Sequence, residues 1–286
     1  MCVECGCGAS TGRMDGGEHS ADHHHPHHHN HGEGGSEMAH DPGHRSENDG
    51  KRRITLEQDI LAKNNRIARS NREYFRANGI FVVNLLSSPG SGKTTLLEET
   101  IKVLGGATPL AVIEGDQETS RDADRIRALG IPAVQINTGA GCHLDAHQII
   151  HAAERLPLAA GMVLFVENIG NLVCPALFDL GETVRVVLFA MTEGEDKPLK
   201  YPRIFRDSDL TLLTKSDLLP HLDFDLGCAT EDIRMVNPRG EILSVSSRTG
   251  DGLDRWISWL DGRRRTSQIA GEAPFPRKDS RDKVNL

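Results

Sequence analysis

Nine consecutive residues, Ser87-Ser88-Pro89-Gly90-Ser91-Gly92-Lys93-Thr94-Thr95, have the composition of a phosphate cradle. Glycines at 90 and 92 allow backbone N–H groups to turn inward around phosphate oxygens. An apolar, strand-sized run (80–86) precedes them and a helical pattern (94–104) follows. The partial positive charge of that helix N-terminus therefore faces the same point. In this setting Lys93 reaches the β- and γ-phosphates and Thr94 ligates Mg²⁺, while Gly90, Ser91, Gly92 and Thr95 complete the P-loop wall. The strict pattern has Gly where Ser87 stands, but the G-x-G-K-T core is intact.

A second constellation selects the base. Thr214-Lys215-Ser216-Asp217 follows an apolar run, and Ser244-Val245-Ser246-Ser247 comes about thirty residues later. A carboxylate at Asp217 can accept two hydrogen bonds from guanine, whereas adenine lacks that donor pair and would leave it unsatisfied. Lys215 and Ser246 complete a GTP or GDP site, although Thr214 stands where GTPases usually have Asn. Glu114-Gly115-Asp116 and Glu167-Asn168-Ile169-Gly170 each follow an apolar run. Ligand groups collect at the carboxyl ends of parallel strands. Asp116 and Glu167 are thus candidates, with Lys93, for the Mg²⁺ shell and for positioning the attacking water.

Metal ligands form three further groups. Cys2, Cys5 and Cys7 place three thiols within six residues, with Gly6 allowing the chain to fold back. Thiolates favour soft or borderline ions, so Ni²⁺ and Zn²⁺ both remain candidates there. Ten of the fourteen histidines fall at or before His44, mostly in a run from His23 to His31. Such a tract suits a multi-ion buffer more than a defined site. Cys142-His143 follows one apolar run and Cys174 follows another, so both loops belong on the phosphate side of the sheet. Cys228 has no neighbouring ligand and reads as a structural core residue.

These groups need a scaffold. Seven short apolar runs (80–86, 109–113, 133–137, 162–166, 184–190, 210–214 and 242–245) alternate with helical patterns at 94–104, 121–129, 144–156 and from 253. The expected fold is α/β, a mostly parallel sheet flanked by helices. Residues 1–53 lack apolar residues to bury, which predicts a disordered metal-binding segment before a nucleotide-binding domain at 54–263. A polar tail at 264–286 is also predicted to be disordered. Nine acidic and two basic residues in the first fifty account for −7 of the net charge of −8. The remainder lacks the concentrated basic face of a nucleic-acid-binding protein. No apolar run approaches the ~20 residues needed to span a bilayer. With no leader pattern, the expectation is a cytoplasmic protein with no membrane partner.

Taken together, Ser87–Thr95, Glu114-Gly115-Asp116, Gly141-Cys142-His143-Leu144-Asp145, the 167–175 segment and Thr192-Glu193-Gly194-Glu195-Asp196-Lys197-Pro198-Leu199-Lys200-Tyr201-Pro202 resemble the signature segments of the HypB family of hydrogenase nickel-incorporation GTPases. The resemblance covers about residues 54–263, together with the Cys motif and the histidine tract. It implies a SIMIBI-like P-loop GTPase that hydrolyses GTP slowly and forms a homodimer with GTP. It also implies nickel at Cys2, Cys5 and Cys7. A second site, at Cys142, His143 and Cys174, would lie at the subunit interface and take Ni²⁺, with Zn²⁺ as an alternative. Implied partners are a HypA-type accessory protein and the hydrogenase large subunit. The urease nickel GTPase is a sibling family. A nickel store with an incidental GTPase domain is a rival reading, resting on the histidine tract.

Overall fold

The computed structural model describes the backbone of residues 43–272 and the side chains of residues 57–269. Cys2, Cys5, Cys7, the histidine run and the last fourteen residues lie outside that range. The chain divides into two units at residue 59/60, and the second holds every strand.

All seven apolar runs form strands: β1 (Phe81–Ser87), β2 (Leu110–Asp116), β3 (Ala133–Asn137), β4 (Val163–Glu167), β5 (Val184–Ala190), β6 (Leu210–Thr214) and β7 (Glu241–Val245). β3, β5 and β6 have the expected bounds, β1 and β4 start and end one residue later, β7 starts one residue earlier, and β2 runs on through Glu114-Gly115-Asp116, expected as a loop. They make one sheet in the order β3-β2-β4-β1-β5-β6-β7. Every pairing is parallel. The central strand β1 is buried along its whole length. This follows from helices covering both faces, which removes the need for polar alternation.

The helices are α1 (Gly43–Ala77), α2 (Lys93–Leu104), α3 (Arg121–Ala128), α4 (Ala146–Ala153), α5 (Lys197–Lys200), α6 (Pro202–Arg206), α7 (Leu226–Val236) and α8 (Leu253–Glu272). Side chains of a strand alternate between faces. Val83 and Leu85 of β1 therefore join Leu96, Leu97, Ile126 and Trp256 in one core layer. Val82 faces the other way, with Phe75, Leu144 and Ile149. A third cluster around Phe189, Phe205 and Ile233 completes that second layer. Trp256 is 1% exposed, and its indole N–H donates to Thr100 Oγ1 at 2.8 Å.

Two asparagines of α1 anchor the start of α4. The Asn71 amide donates to the carbonyls of Ala146 (2.7 Å) and Leu180 (3.1 Å), and Asn64 accepts from Ala146 N (2.9 Å). The predicted helix at 144–156 shortens to Ala146–Ala153. Asp145 caps it in a reciprocal box with Gln148, and the cap residue itself cannot be helical.

Two expectations need correction. The chain from Arg264 was read as a polar tail, yet α8 continues to Glu272. Asp261 supports that extension through Arg264 and Arg265 on the next turn. Cys228 was read as a core residue, but it is exposed on α7, which buries only Ala229 and Ile233. Among the described residues, no helix is long and apolar enough to cross a membrane.

Asn71 is 2% exposed and satisfies two buried carbonyls. Asn71→Ala should cost about 2–3 kcal/mol of stability, because each orphaned buried polar group costs ~1–3 kcal/mol. Urea denaturation measures this, and a loss below about 0.5 kcal/mol would show that the anchor is dispensable.

Candidate functional site

The P-loop connects the end of β1 to the start of α2. Gly90 (φ 73°) and Gly92 (φ 93°) occupy the left-handed region, and no side chain caps α2. The first N–H groups of that helix are therefore left for an external acceptor such as phosphate. Lys93 is buried, with its ammonium donating to Ser87 Oγ at 2.8 Å. Ser87 donates in turn to the Ser88 carbonyl at 2.6 Å. The hydroxyl that replaces the motif's first glycine thus parks the lysine. Ser91 Oγ lies 2.6 Å from Glu193, and Glu193 also accepts from Ala190 N.

A cleft of about 470 Å³ opens beside this loop, and its wall includes Lys93, Thr94, Thr95, Asp116, Asp122 and Glu167. Glu167, the last residue of β4, accepts from Thr94 Oγ1 at 2.8 Å and is 3% exposed. Ligand oxygens of Glu114, Asp122 and Glu167 lie within 4.8 Å of one another. One oxygen each of Glu114 and Glu167 is buried without a hydrogen-bond partner. Burial, reinforced by the neighbouring Glu167 charge, pushes the Glu114 carboxyl up to about 11. Burial likewise raises Glu167, against the pull of Lys93. Two carboxylates this close retain a proton between them unless a cation joins them. The hard oxygen set of Thr94, Glu167 and the two orphaned oxygens therefore fits Mg²⁺.

Asp116 points elsewhere in its loop, accepting from Thr119 Oγ1 and Gln117 N at 2.5 Å. Partial burial works against its ionisation, yet the Thr119 and Gln117 donors hold it below the usual carboxylate range. Sequence reasoning passed over Glu114 and Asp122. The available signal was a carboxylate inside an otherwise apolar strand.

At the other end of the loop, Thr214 Oγ1 donates to the Ser91 carbonyl at 2.8 Å. A hydroxyl here ties the base loop to the P-loop, which gives the Asn-to-Thr departure a physical role. Lys215 is the only described non-glycine residue at positive φ (59°). Ser246 Oγ donates to Asp217 at 2.7 Å and orients its carboxylate.

The soft-donor group is also assembled. Cys142 and Cys174 are buried, and their sulfurs and a ring nitrogen of His143 lie within 4.8 Å of one another. Cys142 Sγ is 3.8 Å from His143 Nδ1. The imidazole stacks on Phe178 with a centroid distance of 3.8 Å. Burial lowers the His143 pKa despite nearby Asp145, so the ring is neutral and can ligate at pH 7. Two thiols and an imidazole suit Ni²⁺ or Zn²⁺.

Asn168 joins the two halves. Its Oδ1 accepts from Ile169 N (3.0 Å) and from Leu144 N (3.4 Å), the residue after His143. Its amide donates to Asn84 Oδ1 at 3.4 Å. Two residues on, a Cβ at Gly170 would sit 2.9 Å from the Pro89 backbone. Only glycine lets this loop lie against the P-loop.

Residues 81–244 match the family model of the CobW/HypB/UreG nucleotide-binding domain. The hydrogenase maturation factor HypB of Azotobacter vinelandii is 56% identical over 81% of this chain and 75% of its own length. That of Escherichia coli K12 is also 56% identical, over 75% and 74%. The chain belongs to the HypB family of hydrogenase maturation factors. Among solved structures, HypB from Helicobacter pylori in complex with nickel is 37% identical, with a TM-score of 0.69, covering 72% of this chain and 97% of that one. HypB from Archaeoglobus fulgidus is 40% identical, with a TM-score of 0.67, covering 71% and 99%. As a member of this family, the chain carries a P-loop nucleotide-binding domain.

Two predictions test this site. Thr214→Val should cost about 1–3 kcal/mol by orphaning the Ser91 carbonyl, whereas Thr214→Asn, which can still donate, should largely restore stability in thermal melts. For Glu114, the folded-state pKa lies above its unfolded value of 4.5. Its contribution is therefore fully present below about pH 4.5 and declines as pH rises toward 11. Glu114→Gln removes that decline, so the metal-free variant should gain stability relative to the parent between pH 5 and 9. Parallel stability curves in urea across that range would refute the shift.

Proposed function

We propose that this chain is a GTP-hydrolysing nickel metallochaperone that delivers Ni²⁺ to the hydrogenase large subunit. The observation that carries this reading is the Asn168 connection. One buried side chain bonds the loop of the Cys142/His143/Cys174 group and belongs to the loop beginning at Glu167, which bonds Thr94 of the P-loop. The two sites are mechanically joined through a few hydrogen bonds.

In this reading Gly90, Ser91, Gly92, Lys93, Thr94 and Thr95 hold the phosphates, with Lys93 leaving Ser87 for them. Asp217, Lys215 and Ser246 hold guanine. Thr94, Glu167 and Glu114 would hold Mg²⁺, with Asp116 reaching it only through water, and the ion would supply charge neutralisation at the transferred phosphoryl group. Asp116 and Glu167 orient the attacking water. Glu167 bonds the Thr94 hydroxyl, and Asn168 beside it bonds Leu144 N, so a change of partner at Glu167 would be felt by the loop that carries Cys142 and His143. Nickel is the cargo of that group and of the N-terminal Cys2, Cys5 and Cys7. Support for nickel includes the nickel-bound relative from Helicobacter pylori. A GTP-dependent homodimer closes the interface over Cys142 and Cys174, and a HypA-type accessory protein exchanges metal with it.

By linkage, nickel and nucleotide must influence each other equally. The test measures Ni²⁺ and Zn²⁺ affinity of a Cys2/Cys5/Cys7→Ala variant in GDP and in a GTP analogue. A roughly 5–150-fold difference between the two nucleotide states is expected, the usual span of such coupling. Asn168→Ala should shrink that ratio toward one while both ligands still bind. Equal metal affinity in GDP and analogue would sink the switch.

A further inference from the structure

Gln135 of β3 stands where the pattern of its strand calls for an apolar side chain. Residues two apart on a strand share a face. Ala133, on that same face, packs against the core layer of Val112 and Ile126. Gln135 instead brings an amide, and both its Oε1 and its Nε2 are buried without a hydrogen-bond partner. Among the described residues, only Glu114 Oε2 and Glu167 Oε2 share that condition.

All of these orphaned atoms belong to one row of the sheet. Gln135 pairs with Glu114 across β3 and β2, and Glu114 pairs with Glu167 across β2 and β4. Paired residues of parallel strands point to one face, and adjacent strands lie about 4.8 Å apart. The row ends on Leu85 of β1, which packs with Leu96 of α2 and Ile126 of α3. Gln135 therefore flanks Glu114 on the side opposite Glu167. An orphaned donor stands beside an orphaned acceptor.

We propose that Gln135 is a positioning residue of the divalent-cation site, its Nε2–H group holding the Glu114 carboxylate as a ligand. The inference rests on the assignment of Thr94, Glu167 and Glu114 to Mg²⁺. In the structure Glu114 is turned to Glu167, with which it shares a hydrogen bond. A cation that takes up both carboxylates removes that bond. Glu114 then needs a new partner, and the donor in register with it is Gln135. A neutral N–H group stabilises a carboxylate without bringing a positive charge to compete with the ion. Mg²⁺ demands near-ideal octahedral geometry, so a ligand fixed from behind serves it better than one free to swing. Loss of such a partner behind a metal ligand costs about 10–100-fold in metal affinity.

The same amide is a burden while the ion is absent. A buried polar group without a partner is unfavourable, whereas an apolar side chain of the same shape is not. Gln135 thus trades stability of the metal-free protein for ion binding, as residues of functional sites often do. A residue that merely packed β3 beneath α3 would behave in the opposite way. Its replacement would lower stability and leave the ion alone.

The test follows thermal unfolding of the full chain, first in EDTA and then across a MgCl₂ titration with GDP present. Gln135→Met keeps the length of the side chain and should melt about 2–4 °C above the parent in EDTA, the shift expected from removing one orphaned group. Its half-maximal response to Mg²⁺ should need about 10–100-fold more of the ion. Gln135→Leu repeats both readings with a different shape, so a misfit of methionine is not mistaken for the role of the amide. The proposal is overturned if both variants melt below the parent in EDTA, or if both respond to Mg²⁺ at the parent's concentration. If the parent's own melt ignores Mg²⁺, or Glu167→Gln responds as the parent does, the oxygen set holds no cation. The cation assignment then falls together with the inference, whereas a parent that responds while the variants match it overturns the inference alone.

Discussion

A buried amide can be kept inside a protein only when both its ends are satisfied, and Asn168 meets that demand by joining parts of the chain distant in sequence. It is 1% exposed. Its oxygen takes N–H groups from two loops, and its nitrogen reaches Asn84 in the central strand. Asn84 in turn donates to buried Glu182, which pairs with Arg185. This polar seam crosses the apolar layer behind the carboxyl edge of the sheet. Loosening any member leaves a donor or acceptor without water, so the loops around it hold one arrangement or change together.

The rest of the site follows from topology. A parallel sheet brings the carboxyl ends of β1, β2 and β4 side by side, and the residues that follow them share one edge. The phosphate cradle, the Glu114–Glu167 pair and the thiol group occupy neighbouring loops of that edge. Hard oxygen ligands gather at one place and soft sulfur ligands at another, so two chemically different ions can be sorted without competition. The buried carboxyl pair is unfavourable by itself. It persists because the surrounding strands over-determine its position, and such stored unfavourable charge is a means of holding a site ready for a cation.

Much of this was legible in the residues. Seven apolar runs became seven strands, since continuous apolar stretches between helical patterns have few other solutions. The P-loop was legible because glycine spacing and a lysine at a strand end carry specific mechanics. Glu114 was not, because its acidic segment reads as a loop after the apolar run until β2 is seen to extend through it and pair Glu114 with Glu167 across the sheet. The short helices α5 and α6 and the sparsely apolar α7 give too little periodicity to detect. Thr214 looked like a departure from a motif, and only its contact with Ser91 explains it. The length of α8 was hidden because ion pairs along a polar helix leave no hydrophobic pattern.

The central place of β1 has a consequence for how the protein is made. Its two neighbours in the sheet are β4 and β5, and Val83 pairs with Phe165 on one side and Val184 on the other. The strand that carries the P-loop thus waits for partners some eighty to a hundred residues later in the chain. At synthesis rates of about 5–20 residues per second, this delay is roughly 4–20 s. During that interval the cradle has no walls, and cellular nucleotide cannot assist collapse. A nucleotide in that cradle can act on this fold only as a late stabiliser, once the sheet has closed around its own first strand.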